Sequence, residues 1–268
     1  MANRNEGIIN GISICDHAWA TINAQAEAAS LIYPRGKGSK IKELSIPTIN
    51  LRLNCWSIFN TIQAKELRIN HELPNRFTTN SAHTVIASGN TYTNCLLTGY
   101  SVQEEDKLWA RYSFDFTLGD QGTAVPSATL KDGAGTEAVF TVPNVQLLGR
   151  TVKAGGTFRF WSHAFSSANT EWATQVQKGN TITVKNLGGG VRTINLSAWL
   201  IGPDVQARMN LEKYFLVLAK FATGRSGNLQ VSGNTIQNCF LQSFSMAEED
   251  SKTLTYSASF LSTAFAYS

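Results

Sequence analysis

The chain has 268 residues, is 43% hydrophobic and carries a net charge of +4, an ordinary globular composition with room for one or two domains. Residues up to Asp120 hold 11 basic and 11 acidic side chains and the rest hold 12 and 8, so neither half is a nucleic-acid-binding patch by charge. No apolar run approaches membrane-span length and no uninterrupted apolar stretch follows a basic start, which predicts a protein made and folded in a cytoplasm with no membrane contact.

From the start, Gly7 to Trp19 alternates loosely through Ile8, Ile12 and Ile14 and reads as an opening strand. Its counterpart is Phe158 to Phe165, because Asp16-His17-Ala18-Trp19 matches Ser162-His163-Ala164-Phe165 at an offset of 146. One His per stretch with no second ligand beside it reads as a hydrogen-bonded structural residue, not as a metal ligand or a base. Gly36-Lys37-Gly38-Ser39-Lys40 has the wrong spacing for a phosphate loop and is expected to be a mobile basic loop, with Gly188-Gly189-Gly190 a turn or loop. Both precede the same strand, Thr48-Ile49-Asn50-Leu51 and Thr193-Ile194-Asn195-Leu196.

Each of those strands leads to a helix candidate. The first covers Gln63 to Leu73 and is cut by Pro74; the second opens on Asp204 as N-cap and runs to about Phe221, before Gly224. Leu211, Phe215 and Leu218 give the second an apolar stripe, with Arg208, Glu212 and Lys213 assigned to solvent. Pro74 sits opposite Leu218 in the gapless alignment, and Phe77/Phe221 and Thr79/Thr223 restore the match after that proline.

The strongest signal is a long hairpin written twice. Ser88 to Phe116 aligns without a gap to Ser232 to Phe260, offset by 144, and the identical pairs include Gly89/Gly233, Asn94/Asn238, Cys95/Cys239 and Tyr112/Tyr256. Period-2 alternation puts Tyr92, Leu96, Tyr100, Val102, Tyr112 and Phe116 on one apolar face, with Thr93, Gly99, Ser101, Arg111, Ser113 and Asp115 opposite. Ile236, Phe240, Phe244, Met246, Tyr256 and Phe260 repeat the apolar face. The tips are acidic, Glu104-Glu105-Asp106 and Glu248-Glu249-Asp250. Strands of about twelve residues reach about 40 Å, twice the usual length, so neighbouring subunits are expected to cover them.

Leu118 to Arg150 belongs to neither copy and reads as a linker or an extra hairpin, with short β candidates at Ala128–Leu130 and Ala138–Val142. The expected organisation is therefore 1–118, 119–150 and 151–268: mainly β (α+β), with two tandem antiparallel β-sandwich or barrel domains, each carrying one helix and one long hairpin. Cys15, Cys55, Cys95 and Cys239 lack metal or redox spacing and read as buried reduced thiols. No nucleophile elbow, HExxH, Walker loop, dinucleotide fingerprint or calcium loop occurs, so no enzyme, cofactor or metal is expected. Trp19, Trp56, Trp109, Trp161, Trp172 and Trp199 read as core residues, with a carbohydrate-binding or host-attachment module as the alternative use of so many aromatics.

A duplicated unit of strands, one helix and a long acid-tipped hairpin resembles the tube domain of long-tailed bacteriophages, whose members are tail tube proteins, distal tail proteins and baseplate hubs. The resemblance covers about Gly7 to Phe116 and Thr151 to Phe260, and is carried by the repeated SGNTxxNCxLxxxSxxEEDxxxxxYSxxF stretch. It implies a virion tail protein, assembled in the bacterial host, in which Thr93 to Gln103, Lys107 to Asp115 and their counterparts line an inner barrel. Six such domains make a ring, so two per chain implies a homotrimer with pseudo-sixfold symmetry. The acidic tips would dock other tail proteins, and DNA would pass the lumen without specific binding. In that family the lumen tends to be acidic, whereas this chain is net positive.

Overall fold

The computed structural model describes residues 6–26, 28–32, 39–43, 48–77, 81–87, 89–119, 135–169, 172–177, 181–186 and 191–262. The first half runs β1 (Gly7–Ile9), β2 (Ile12–Cys15), β3 (His17–Gln25), β4 (Ala28–Ile32), β5 (Ser39–Glu43) and β6 (Thr48–Ile58), then α1 (Ile62–Leu67), a π turn over Arg68–Glu72 and α2 (Leu73–Arg76), then β7 (Ala82–Ala87), β8 (Asn90–Glu105) and β9 (Trp109–Leu118). The second half runs β10 (Thr136–Val142), β11 (Val145–Leu147), β12 (Arg150–Lys153), β13 (Gly156–Ser162), β14 (Ala164–Asn169), β15 (Trp172–Gln177), β16 (Thr181–Asn186) and β17 (Arg192–Ile201), then α3 (Val205–Ala222), β18 (Ser226–Val231), β19 (Asn234–Glu248) and β20 (Thr253–Ser262). The fold is mainly antiparallel β with helices, as the alternation predicts.

Eight strands form one continuous path, β14-β17-β20-β19-β3-β6-β9-β8, antiparallel throughout. The path passes from the second half to the first between β19 and β3, where Ser243–Ala247 lie against Thr21–Gln25. The lower part of β19 pairs on that same side with β18, which continues to β10 and β13. The lower part of β8 likewise pairs with β7, which continues to β1 and β2. β10 therefore stands where β1 stands, and Thr136–Val142 belong to the second half's sheet, not to a segment between copies. Two further hairpins, β4–β5 and β15–β16, are inserted after β3 and β14. Ser39 and Lys40, expected in a basic loop, open β5; residues 33–38 and Gly188–Gly190 lie outside the described residues.

Gly7 to Trp19 is a hairpin leading into a third strand, not one strand. Asn10 and Gly11 both have positive φ, 51° and 78°, which is the two-residue turn that Asn-Gly favours. Asn94 and Asn238 sit at φ 52° and 54°, each within an extra residue that bulges its strand against β7 or β18. Asn tolerates that left-handed geometry, which accounts physically for the repeated Asn. A second bulge follows in both copies, between Leu97 and Gly99 and between Leu241 and Ser243. Each bulge breaks strict alternation, so Leu96 points outward while Cys95 and Leu97 are buried. The second strand carries no bulge, and Ala110, Tyr112, Phe114 and Phe116 are all buried as the parity predicts.

The core lies between the eight-stranded path, the second-layer strands and the helices. Asp204 caps α3 by accepting from the Ala207 amide at 2.8 Å, and the Leu211, Phe215, Leu218, Ala222 face is buried. Phe215 packs against Tyr256 at 4.7 Å and Phe244 at 5.4 Å between ring centroids; truncating such a ring to Ala costs about 3–5 kcal/mol. The first helix does not end at Pro74. It continues to Arg76 because the wider π turn at Arg68–Glu72 precedes the proline, where a strict α-turn would place the ring against a carbonyl one turn back.

Candidate functional site

The eight-stranded path has two different faces. One is the core face just described; the other carries polar side chains from every strand. Arg52 donates to Asp115 at 2.6 Å, Ser101 bonds Ser113 at 3.0 Å, and the repeat-matched Ser245 bonds Ser257 at 2.8 Å. The Arg52 guanidinium is held further above its usual range by the hydrogen bond and charge of Asp115. The parity rich in Ser, Thr, Arg and Asp is thus one continuous surface, shared by both halves.

The path also has two ends. At one, β8 pairs with β9 on one side, while its other side is paired to β7 only as far as Leu96. Among the described residues no strand covers Gly99–Gln103. At the other end β14 pairs with β17 and with no further described strand.

Most of the hairpin residues expected to mediate oligomerisation are core residues of the chain itself: Tyr92, Tyr112, Phe116, Phe240, Phe244, Tyr256 and Phe260 are all buried. Leu96 is exposed and Tyr100 partly so. The tyrosines have polar duties inside. Tyr112 donates to the Ile14 carbonyl at 2.6 Å and Tyr256 donates to the Trp161 carbonyl at 2.6 Å, so the repeated Tyr ties its hairpin to the second layer in both halves.

The acidic tips also divide. Glu248 faces Arg208 at 3.5 Å and its side chain is largely buried, whereas Glu249 and Asp250 are exposed. Asp250 accepts from the Lys252 and Thr253 amides, and those hydrogen bonds hold its carboxyl below the usual range. Asp106 is exposed and its carboxylate accepts from the Lys107 amide; the Glu104 and Glu105 side chains lie outside the described residues.

Sequence reasoning missed the cations behind the tips. Lys65 and Arg208 are both buried at the first turn of their helices. Lys65 donates to the Asp106 carbonyl at 2.8 Å, and Arg208 pairs with Glu212 at 2.8 Å and with Glu248. The readable signal is Ile62-Gln63-Ala64-Lys65 against Val205-Gln206-Ala207-Arg208, one residue off the gapless alignment. Arg208 and Glu212, expected in solvent, instead form a buried cluster with Asn90 and Tyr92 of β8, both of which donate to Glu212. Desolvation raises the Glu212 carboxyl above its usual range, against the opposing pull of Arg208 and its hydrogen bonds. The cluster welds α3 of the second half to β8 of the first.

Of the tryptophans whose side chains are described, none is fully buried. Trp161 packs on Tyr214 and Phe215, but Trp199 is exposed. Trp19 and Trp56 line a groove with His17, Arg111 and the tip Glu248–Ser251; they project from the polar face, which is why the core expectation fails. His163 bonds the Trp199 carbonyl at 2.8 Å. All four cysteines are buried and none is in a disulfide. Among the described residues no cluster of His, Cys, Asp or Glu suits a metal ion, and no helix is long and apolar enough to cross a membrane.

No family model matches the chain, and no curated protein does. Among solved structures it is similar to the Dit (gp 19.1) protein of phage SPP1, described as a paradigm of the hub adsorption apparatus in phages that infect Gram-positive bacteria. The identity is 10% and the TM-score 0.33, over 95% of this chain and 98% of that one. A likeness that weak bears no functional weight.

Proposed function

We propose that this chain is a structural protein of a phage tail, a tail tube, distal tail or hub component, and that copies of it close into a ring around a channel. The carrying observation is the eight-stranded path with a polar face and two open ends. A sheet whose two ends have no partner among the described residues can extend into a longer wall, and joining unlike ends head to tail generates a ring when the rotation closes.

Magnitude supports three chains, as the resemblance implies. With about 4.8 Å between strands and a tilt of about 40°, twenty-four strands close a barrel about 48 Å across. Subtracting about 5 Å of side chain on each side, half the spacing of packed sheets, leaves a lumen wider than a DNA duplex. Its Ser and Thr hydroxyls, with Arg52 already paired to Asp115, would neutralise few phosphates, so little counterion release would hold a passing polyanion. Asp106, Glu249 and Asp250, with Glu104 and Glu105, would lie at the barrel end toward the next tail component.

Electron microscopy and light scattering of the purified full chain test this. Closed threefold particles with an open centre are expected; a stable monomer at every concentration, with no ring in the virion, overturns the proposal.

A further inference from the structure

Among the described residues the chain contains one completed junction between repeat halves and two unmatched ends, and the completed junction is a template for the missing one. We infer that β14 of one copy pairs with the upper part of β8 of a second copy, while α1 of that second copy seats in the groove beside β14. This rests on the ring reading and specifies its interface.

The template is the β19–β3 pair, with α3 lying over β3. β8 matches β19 at an offset of 144 as far as Val102, since Leu97 faces Phe116 as Leu241 faces Phe260 and Val102 faces Tyr112 as Met246 faces Tyr256; beyond Val102, β8 has a bulge that β19 lacks. β14 is matched to β3 through its neighbour. Ile22 faces Leu51, which faces Phe116; Ser167 faces Ile194, which faces Phe260. Ser167 is therefore the counterpart of Ile22 and Phe165 that of Ala20. Met246 lies opposite Ile22 within the chain, so Val102 of one copy falls opposite Ser167 of the next, with Ser101 opposite Ala168.

Exposure differs between the halves where this junction requires it. Met246 is 2% exposed and its counterpart Val102 is 39%. Phe240 is 1% exposed and Leu96 is 42%; Ala20 is 3% and Phe165 is 42%. Met246 and Ala20, covered where β19 meets β3, thus have bare counterparts at the two open ends, Val102 and Phe165.

The helix seat follows the same logic. In the first half, Met209 lies against Gly89 and Glu212 takes the Asn90 and Tyr92 donors, so α3 fills the space beside the β7–β8 turn. The matching space in the second half is a groove of 260 Å³ lined by Phe165, Val231, Ser232, Asn234 and Ile236. Gly233, the counterpart of Gly89, has open space around it. The fitting element is α1, whose first turn matches that of α3 and whose Ile62 and Leu67 are exposed. The occupant is a second copy of this chain, because α1 and β8 carry the counterparts of the elements that fill the first seat.

Cysteine pairing reads the register directly. In the full chain carrying Val102→Cys and Ser167→Cys, mild oxidation is expected to give covalent dimers and trimers on non-reducing gels, since directly opposed residues have Cα atoms about 4.5–5.5 Å apart, within the Cα separation that a disulfide spans. Met246→Cys with Ile22→Cys is the internal control and is expected to close within one chain. Val102→Cys with Ala168→Cys, slipped by one residue, is expected to stay monomeric on the gel. Phe165→Glu, which leaves the chain's own core untouched, is expected to dissociate rings while circular dichroism is unchanged. Hydrogen exchange adds a reading that needs no substitution: Gly99–Gln103 amides should be protected at least tenfold more in rings than in dilute monomer. Rings that form with no Val102–Ser167 cross-link and no such protection overturn this junction while leaving the ring reading standing. Failure of the unmodified chain to form any oligomer overturns both.

Discussion

Replacing Arg208 by Met tests the buried cluster that joins the two halves. Arg208 and Glu212 are 1% and 2% exposed, and their charges lie 2.8 Å apart. Removing the cation leaves Glu212 buried with only the Asn90 and Tyr92 donors, and breaking a buried pair from one side costs about 3–5 kcal/mol. For a chain of this size about 2–4 °C of melting temperature corresponds to each kcal/mol, so Arg208→Met is expected to melt about 6–20 °C lower. Adding Glu212→Leu and Tyr92→Phe removes the stranded carboxylate and one of its donors, leaving Asn90 and Glu248 without these partners, and the triple variant is expected to recover part of the loss, because apolar replacement of a whole buried pair is near neutral. The assay is chemical and thermal unfolding followed by circular dichroism at one fixed oligomeric state.

The pH dependence has a defined sign. Desolvation raises Glu212 above its unfolded value, so between the usual carboxylate range and that raised value the folded chain binds more protons than the unfolded one. This group's contribution is then full below the usual carboxylate range and is lost as pH rises through the raised value. Arg208→Met removes an opposing pull and should extend that loss to higher pH; Glu212→Gln should abolish it. A cost below about 1 kcal/mol for Arg208→Met, or a triple variant worse than the single, would refute the account of the cluster.

Gly227→Ala should destabilise the chain by at least about 2 kcal/mol, because an added Cβ meets the Thr141 carbonyl oxygen at 2.2 Å; denaturant midpoints measure it, and a neutral outcome would remove β10 from the second half's sheet. Tyr112→Phe should cost about 1–3 kcal/mol by leaving the Ile14 carbonyl without the Tyr112 hydroxyl and Ser57 with only the Asp16 amide, read by the same melts. Native thiols should resist a disulfide reagent until unfolding, since burial pushes Cys95 up to about 12 and Cys239 up to about 11; stoichiometric labelling of folded protein would contradict this. Glu248→Lys should cost about 2 kcal/mol or more by setting a cation against buried Arg208, while Glu249→Lys on the exposed side of the tip should shift stability by under about 1 kcal/mol.

The β class, the second helix with its Asp204 cap and the long hairpins are legible because each rests on a local pattern: period 2, period 3.6 or a capping residue. The parity of β9 and β20 reads correctly since neither carries a bulge against its hairpin partner's core face. β8 misleads by one residue after Asn94 because a bulge is a backbone event whose only trace is an Asn that tolerates positive φ. The solvent assignment of Arg208 and Glu212 fails for a different reason. Helical periodicity places them beside the apolar stripe, and only the arrival of β8 from 120 residues away supplies the donors that let a charge be buried.

The match of His17-Ala18-Trp19 to His163-Ala164-Phe165 shows how far a repeat can be trusted. The letters align at an offset of 146, but strand pairing sets Ala20, not Trp19, as the counterpart of Phe165. A slip of one residue turns every side chain to the other face: Trp19 projects from the polar face, whereas Phe165 shares the core-side parity of Leu196. One residue separates the strands at each junction, His163 between β13 and β14 and Asp16, whose carboxylate accepts from the Ile58 amide, between β2 and β3. Register in a duplicated sheet is therefore fixed by the partners that pin each strand, and a strand with one side open, such as β14, is where its own sequence constrains it least. That strand is also the one whose missing partner the other half of the chain supplies a template for, so the register of β14 against a second copy is the quantity that would most sharply decide whether these sheets form one wall.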